Sequence, residues 1–219
     1  MVVLGLAGCA PLPHVASETA QSAIPCPSVP PAPSGEPPAV GDVATDADVA
    51  YTKSSAMTAA QFWKIVGTLP VQASQHDFDA LSAKLRPCGL ATWVSFDARL
   101  TLLLYHLDTA PLCLWYSNNG GFPGPVYSDD FLYARADTVL AGPTTYGDAL
   151  SKNELRWGES DQGTGEFLLY VAQTAADSAG ESDALSAAEQ RDIPLSYESG
   201  TNPASASPGD PQTACIPAS

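Results

Sequence analysis

The chain has 219 residues, a formal net charge of −15 and a sequence pI near 4.2. This length accommodates one domain with tails. So acidic a chain argues against nucleic acid as a partner, because phosphate binding needs clustered lysine and arginine. Nine prolines lie in residues 11–38 and five in residues 194–217, with only six between them. The proline-poor middle is therefore the predicted folded part.

The first residues resemble a signal for attachment to a membrane. Residues 1–8 are small and apolar, and L-A-G-C at residues 6–9 resembles a bacterial lipobox, in which the signal peptide is cut before a cysteine that is then lipidated. The resemblance implies lipidation of Cys9 and attachment to the cell envelope, at the outer membrane if the cell is Gram-negative, because Ala10 rather than aspartate follows. The basic segment and longer apolar core of a full signal are incomplete, which fits a start upstream of Met1 or a trimmed chain.

Residues 9–55 are predicted to form a proline-rich tether. The stretch P-C-P-S-V-P-P-A-P-S-G-E-P-P-A-V favours extended, semi-rigid polyproline II. The acidic run Asp42, Asp46 and Asp48 continues it as a solvated spacer, since the glycine and the distal glutamate of a calcium loop are missing. No other run reaches the roughly 18–20 apolar residues that span a bilayer, so the lipid on Cys9 is the expected membrane link.

Apolar residues at helical spacing predict the domain itself, at residues 56–180. The predicted helices begin after Thr58 and run to near Gly67, then cover about 77–85, 90–107, about 112–117, the stretch after Ser128, 146 to about 153, and 166 to about 176. Alternating strand patterns are scarce. The predicted fold class is all-α, a single compact multi-helix domain with disordered N- and C-terminal tails. Residues 181–219 are the C-terminal tail, which is acidic at first, where it could make one exposed helix, and then of low complexity.

One apolar core is predicted for this domain, and the helix at 90–107 carries the clearest periodicity. The side chains expected to be mostly buried are Phe62, Trp63, Trp93, Phe96, Leu100, Leu103, Leu107, Trp115, Phe131 and Tyr170.

Residues 118–142 combine a glycine-proline loop with a helix start. Ser128 is a candidate helix cap, and Asp129 and Asp130 follow it in the first turn, where the helix dipole favours negative charge. Gly142 and Pro143 form a stop signal. Asp129 and Asp130 could be an acid/base or metal pair, but a first-turn aspartate needs no reason beyond capping.

Signatures of common chemistries are missing from the sequence. There is no phosphate-binding loop of the G-x-x-x-x-G-K-[ST] type and no G-x-S-x-G elbow. The three histidines form no cysteine–histidine pair at ligand spacing, so we expect no metal site and no cofactor. The remaining weak candidates for catalysis are Asp97, Asp129, Asp130, Arg135, Glu154 and Glu166.

These candidates allow two interpretations. Two carboxylates within about 5–10 Å of each other can perform acid/base hydrolysis. An ion pair between Asp97 and Arg135 that orients two helices is an equally good account.

Several short motifs together resemble a known family. They are F-W near the domain start, F-D in the long helix, an aromatic helix ending in G-G, S-D-D-F-x-Y-x-R and, later, L-Y-V-A. The order resembles the bacterial domain-of-unknown-function family 4240, over about residues 57–180. The resemblance implies a helical fold and no particular reaction. The matching residues are Phe62, Trp63, Phe96, Asp97, Gly120, Gly121, Ser128, Asp129, Asp130, Phe131, Tyr133 and Arg135.

Four cysteines besides Cys9 would enter an oxidising compartment on export. Cys88 and Cys113 flank the 90–107 helix, whose roughly 27 Å length keeps them too far apart for a disulfide. Any bridge should therefore tie a core cysteine to a tail cysteine, Cys26 or Cys215. The alternative is that Cys113 is a buried free thiol.

Two functions from different classes fit this sequence. One is a lipid-anchored, non-catalytic interaction or binding module of the cell envelope, with an unknown envelope protein or ligand as its partner. The other is an envelope hydrolase that uses carboxylates near the Ser128 helix.

Overall fold

A computed structural model describes residues 25–29, 31, 45–119, 128–155 and 164–195, without the side chain of Ser128. In this part the chain forms ten α-helices, one turn of 3-10 helix and no strand. The predicted all-α fold is confirmed, whereas most of the predicted disordered tails lie outside the described residues. The helices are α1 (Asp46–Ser55), α2 (Ala59–Val66), α3 (Gln75–Leu85), the 3-10 turn (Arg86–Cys88), α4 (Leu90–Leu107), α5 (Ala110–Asn119), α6 (Ser128–Leu140), α7 (Pro143–Lys152), α8 (Gly165–Leu169), α9 (Val171–Ala179) and α10 (Ser182–Asp192).

Local sequence signals account for several helix ends. Thr58 caps α2 by accepting the N–H of Gln61 at 3.2 Å, while the Gln61 side chain accepts the N–H of Thr58 at 2.9 Å. The same reciprocal arrangement begins α1. Between α6 and α7, Gly142 has a φ of 97°, which favours glycine, and Pro143 follows as the first residue of α7. The start of α2 and the stop at Gly142 agree with the sequence prediction, whereas α1 was not predicted and α7 begins three residues before the predicted Tyr146.

Helix α4 is the centre of the domain. Most of its residues are buried, and it packs against α1, α2, α6, α7, α9 and α10. The indole N–H of Trp93 donates to the carbonyl of Leu85 at 2.9 Å and so fixes the start of α4 against the end of α3. Of the ten predicted core side chains, seven are buried as expected. Trp63 and Trp115 are only partly buried, and Tyr170 is 50% exposed, so the prediction for Tyr170 was wrong.

The exposure of Tyr170 follows from a break in the predicted helix at 166–176. Tyr170 adopts φ −101° and ψ 0° and separates α8 from α9. The backbone N–H of Tyr170 donates to the carbonyl of Phe167, three residues earlier, and this hydrogen bond tightens the last turn of α8. The two short helices therefore pack separately, α8 mainly on α6 and α9 mainly on α3.

Helices α1 and α10 lie in regions that the sequence analysis assigned to tails. Helix α1 runs antiparallel to α4, because the N–H of Met57 just after it bonds to the carbonyl of Ser95 at 3.0 Å and Asp48 near its start lies close to Tyr105. Helix α10 packs on α4 and α9 and buries Leu185. The solvated spacer was therefore wrong for residues 46–55. The helix after residue 180 is present as predicted, but it is not fully exposed, because its face with Leu185 and Ala188 is buried.

A disulfide joins Cys26 to Cys88, with Cα atoms 5.3 Å apart. Cys88 and Cys113 are thus not bonded to each other, as predicted, and one tail is tied to the domain. Cys113 is buried and is itself disulfide-bonded, so the free-thiol alternative was wrong. Its partner lies outside the described residues, as does the predicted tail cysteine Cys215.

Candidate functional site

Asp97 lies on α4 and is almost completely buried, with 8% of its surface exposed. Its carboxyl group accepts no hydrogen bond from the described residues. Burial, with a smaller contribution from the charge of Glu189 on α10, raises the pKa of Asp97 from 3.8 to about 8. The side chain is therefore mostly neutral at pH 7, and it belongs to the region where α10 meets α4.

Arg135 lies on α6 and is completely buried. Its Nη1 lies 3.6 Å from Oδ2 of Asp108 and donates to the carbonyl of Leu104 at 3.1 Å, and its guanidinium group stands 4.8 Å from the ring centre of Phe131. The sequence prediction paired Arg135 with Asp97, which was wrong, because the aspartate beside Arg135 is Asp108. Asp97 and Asp108 are eleven residues apart on α4, about 16 Å along the helix, so the arginine that reaches one cannot reach the other.

Asp129 and Asp130 occupy the first turn of α6, as predicted. Asp129 is exposed and lies near the Tyr133 hydroxyl, whereas Asp130 is half-buried and lies near Tyr116. The two carboxylates and Asp97 therefore have three different surroundings. The side chain of Ser128 lies outside the described residues, and the predicted cap with it.

The two glutamate candidates differ from each other. Glu154 is exposed just after α7. Glu166 is half-buried at the start of α8, beside the hydroxyl of Tyr133 on α6. Burial, and then the nearby charge of Glu166, raises the pKa of Tyr133 to about 12. Glu166 therefore contributes to the α6–α8 contact.

A buried aspartate that the sequence analysis did not single out holds α8 against α6. Asp137 accepts the N–H of Gly165 at 2.7 Å, and burial raises its pKa to about 6. A Cβ at Gly165 would lie 2.5 Å from the backbone nitrogen of Asp137, so only glycine fits there. The role of this pair is to join the two helices.

A groove of about 340 Å³ lies between α3 on one side and α8 and α9 on the other. The buried ring of Phe78 and the half-buried ring of Phe167 contact each other at its base, with ring centres 5.8 Å apart and a tilt of 45°. Tyr170, which is 50% exposed, also lines it. Asp79 of α3 and Asp177 of α9 supply carboxylates. None of the candidates Asp97, Asp129, Asp130, Arg135, Glu154 and Glu166 lines this groove.

The sequence does contain a signal for this groove, in the spacing of its lining residues, although none of them was among the predicted site residues. The α3 lining residues are spaced by three and four, at 75, 78, 79 and 82. The same spacing recurs at Tyr170, just before α9, and at 173, 174 and 177 on α9. Each set mixes one aromatic ring with amides, hydroxyls and a carboxylate. Such a mixed face is typical of a binding surface, whereas a purely apolar face is typical of a core.

Among the described residues, no group of three or more histidines, cysteines, aspartates and glutamates is arranged to hold a metal ion. The helices of the same part of the chain include none with the length and apolar character that a transmembrane span requires.

Comparison with known proteins places the chain in a family. The profile of the family described as "Protein of unknown function (DUF4240)" matches residues 57–177, which is more than half of the chain. The chain belongs to the DUF4240 family. No curated protein matches it, and no solved structure does.

The DUF4240 region extends from just before α2 into α9. It includes both walls of the groove, since the lining residues run from Gln75 to Asp177. It excludes α1 and α10, which flank it. The domain resemblance seen in the sequence is therefore confirmed, and the family supplies no reaction for these residues.

Proposed function

We propose that this DUF4240 protein is a lipid-anchored binding module of the cell envelope, attached through Cys9, that captures a partner in the groove between α3 and α9. The observation that carries the binding role is the groove itself, where Tyr170 exposes half of its surface beside the tilted contact of Phe78 with Phe167. An exposed aromatic at a groove is characteristic of ligand and partner recognition.

The proposed location is supported by two features of the cysteines. The L-A-G-C sequence at residues 6–9 has the pattern of a lipidation site, and Ala10 after it favours the outer membrane if the cell is Gram-negative. The Cys26–Cys88 disulfide suits an exported protein, because such bonds persist in oxidising compartments.

The same disulfide would set the reach of the anchor. Seventeen Cα–Cα steps separate Cys9 from Cys26, which span at most about 60 Å when fully extended. Without the bridge, the free chain would continue to Thr45 and span about 130 Å. Ser28 adds a second attachment, because its carbonyl accepts the side-chain N–H of Gln61 at 2.9 Å. The tether of this proposal is therefore the short segment before Cys26.

The hydrolase alternative needs two carboxylates that face one concave surface. Asp97, Asp129 and Asp130 lie in different surroundings, and none lines the groove. The groove supplies its own carboxylates, but those belong to Asp79 and Asp177. A binding role therefore has the better support.

Site-specific photocrosslinking in intact cells tests the proposal. A benzophenone amino acid placed at Tyr170 should give a defined crosslinked product, while the same probe at Leu150, which is 42% exposed on α7, should not. A Gln75→Trp substitution, which fills the groove, should abolish the product. Identical products from both positions, or no product from Tyr170, would contradict a binding role for the groove.

The anchor is tested separately. Mass spectrometry of the native protein should find a mature N-terminus at a lipidated Cys9, and Cys9→Ser should release the protein from the membrane fraction. An unmodified Cys9 within a longer chain would contradict the anchor and leave the binding role standing.

A further inference from the structure

We propose that the occupant of the α3–α9 groove is a basic side chain, an arginine or a lysine, presented by an exposed segment of a partner protein. This inference rests on the proposed binding role and adds the chemical class of the ligand. Three properties of the groove carry it: its charge, its hydrogen-bonding groups and its aromatic surface.

The charge of the groove is negative. Asp79 and Asp177 line it from opposite helices, and its described lining contains no lysine, arginine or histidine. Hydrogen bonds from Ser182 and Gln173 hold the pKa of Asp177 below its usual range, so this carboxylate stays charged at neutral pH. The net charge of −15 on the whole chain adds long-range attraction for a cation.

The hydrogen-bonding groups of the groove favour a ligand that donates. Both hydrogen bonds to Asp177, from Gln173 and from Ser182, end on Oδ1, which leaves Oδ2 to accept from a ligand. The Ser82 hydroxyl is only 2% exposed and donates to the carbonyl of Phe78 at 3.0 Å, so it offers a ligand no donor. Asp79 is exposed and accepts no hydrogen bond from the described residues.

Arginine and lysine are the side chains that match such a lining. A guanidinium group carries five N–H donors and an ammonium group three, and neither has an acceptor. A saccharide could use the amides and hydroxyls of the groove, but it carries no positive charge to set against the two carboxylates. An anionic ligand would meet two carboxylates without a compensating cation.

The aromatic surface completes the match. Tyr170 lies at the break between α8 and α9. Its side chain lines the groove with half of its surface exposed. The half-buried ring of Phe167 supplies apolar surface next to it, backed by the buried ring of Phe78. A cation placed over an aromatic face is attracted by the ring electrons, and the methylene groups of arginine or lysine pack on apolar surface. One basic side chain can therefore use the carboxylates and the rings together.

Fluorescence anisotropy with the full chain and two labelled peptides tests the inference. One peptide is acetyl-Gly-Arg-Gly-Arg-Gly, and the other carries citrulline at both arginine positions, which keeps the shape and removes the charge. The arginine peptide should bind at least tenfold more tightly than the citrulline peptide. A lysine version reports which basic group is preferred.

Matched variants locate the binding. Asp79→Asn and Asp177→Asn together should weaken the arginine peptide about tenfold or more, and Tyr170→Leu should weaken it severalfold. Asp148→Asn, an exposed change on α7 outside the groove lining, should change it less than twofold. Peptide affinities are compared only for variants whose melting temperature equals that of the unaltered chain.

The outcomes separate this inference from the proposed function. If Asp148→Asn weakens binding as much as Asp79→Asn does, the attraction is diffuse and the inference fails. If the citrulline peptide or a neutral oligosaccharide binds as well as the arginine peptide, and Tyr170→Leu reduces that binding, the groove binds a ligand of another class. If the Tyr170 crosslink in cells is absent as well, the binding role itself fails.

Discussion

The helices of the DUF4240 region and helix α1 pack on α4 through different kinds of side chain. In the family region, α6 buries Phe131 and Val139, and α2 buries Phe62. On α1, the buried residues are Asp48, Thr52 and Ser55, which are all polar. In the described part of the chain, Oδ1 of Asp48 and the hydroxyls of Thr52 and Ser55 have no hydrogen-bond partner.

This difference has an energetic consequence. Apolar burial contributes favourably in proportion to area, whereas a buried polar group without a partner costs about 1–3 kcal/mol. We therefore expect helix α1 to be held less strongly than the helices of the family region. Local opening should begin at α1, because the least stable elements of a fold open first. Three of the four predictions below test this contrast, and the one on Asp97 concerns the contact of α10 with α4.

The largest effect is expected in the family core. Leu100 on α4 is 1% exposed, and Leu100→Ala should lower the free energy of unfolding by about 2–5 kcal/mol, because it removes buried methyl groups and leaves a cavity. Denaturant unfolding followed by circular dichroism measures this. Leu150→Ala on the surface is the control and should cost no more than about 0.5 kcal/mol. Equal midpoints for the two variants would refute the assigned core.

Removal of the Cys26–Cys88 disulfide should have the next largest effect. The bridge spans a sequence separation of 62 residues, and a loop of that size corresponds to about 4 kcal/mol in the chain-entropy account. Cys26→Ser should therefore lower the melting temperature, and it should speed hydrogen exchange in α1 more than in α4. Unchanged exchange and melting would mean that the bridge does not hold the N-terminal segment to the domain.

Asp97 predicts a pH dependence where α10 meets α4. Its folded pKa of about 8 lies above its ordinary 3.8, so unfolding releases a proton between these values. Its contribution to stability is therefore fully present below about pH 4, is lost as the pH rises, and changes no further above about pH 8. The slope is at most about 1.4 kcal/mol per pH unit.

The variant Asp97→Asn isolates this effect. It should match the unaltered chain in stability near pH 4 and exceed it near pH 8, as measured by urea unfolding across that range. Other groups such as Asp137, whose pKa is also raised, titrate in both proteins, so the difference belongs to Asp97. A variant that is less stable at pH 8 would show that the carboxylate is needed as a charge.

The smallest effect concerns a single hydroxyl on α1. Thr52 is completely buried, and its hydroxyl has no partner among the described residues, so Thr52→Val should be neutral or stabilise by up to about 1 kcal/mol. Thr138 on α6 is the matched control, because it is equally buried but donates to the carbonyl of Ala134 at 2.9 Å. Thr138→Val should cost about 1 kcal/mol. An equal loss of unfolding free energy in both variants would mean that the Thr52 hydroxyl on α1 is hydrogen-bonded as well as the Thr138 hydroxyl on α6.

The sequence by itself determined the features that depend on neighbouring residues. The Thr58 cap, the extent of α4 and the stop at Gly142 follow from hydrogen bonds and backbone preferences within a few residues. The separation of Cys88 from Cys113 also follows, because it rests on the length of one helix. Most of the apolar core could be predicted for the same reason, since its residues repeat at helical spacing.

Only the tertiary structure decided which distant residues meet. Arg135 pairs with Asp108 and not with Asp97, because packing brings the end of α4 against α6. The groove needs α3 and α9, which are about ninety residues apart in the chain, to lie side by side. Helix α1 has no apolar face that would predict its docking, since its buried residues are polar. Periodicity reports whether a residue is buried, whereas the identity of its neighbour depends on how the whole set of helices packs.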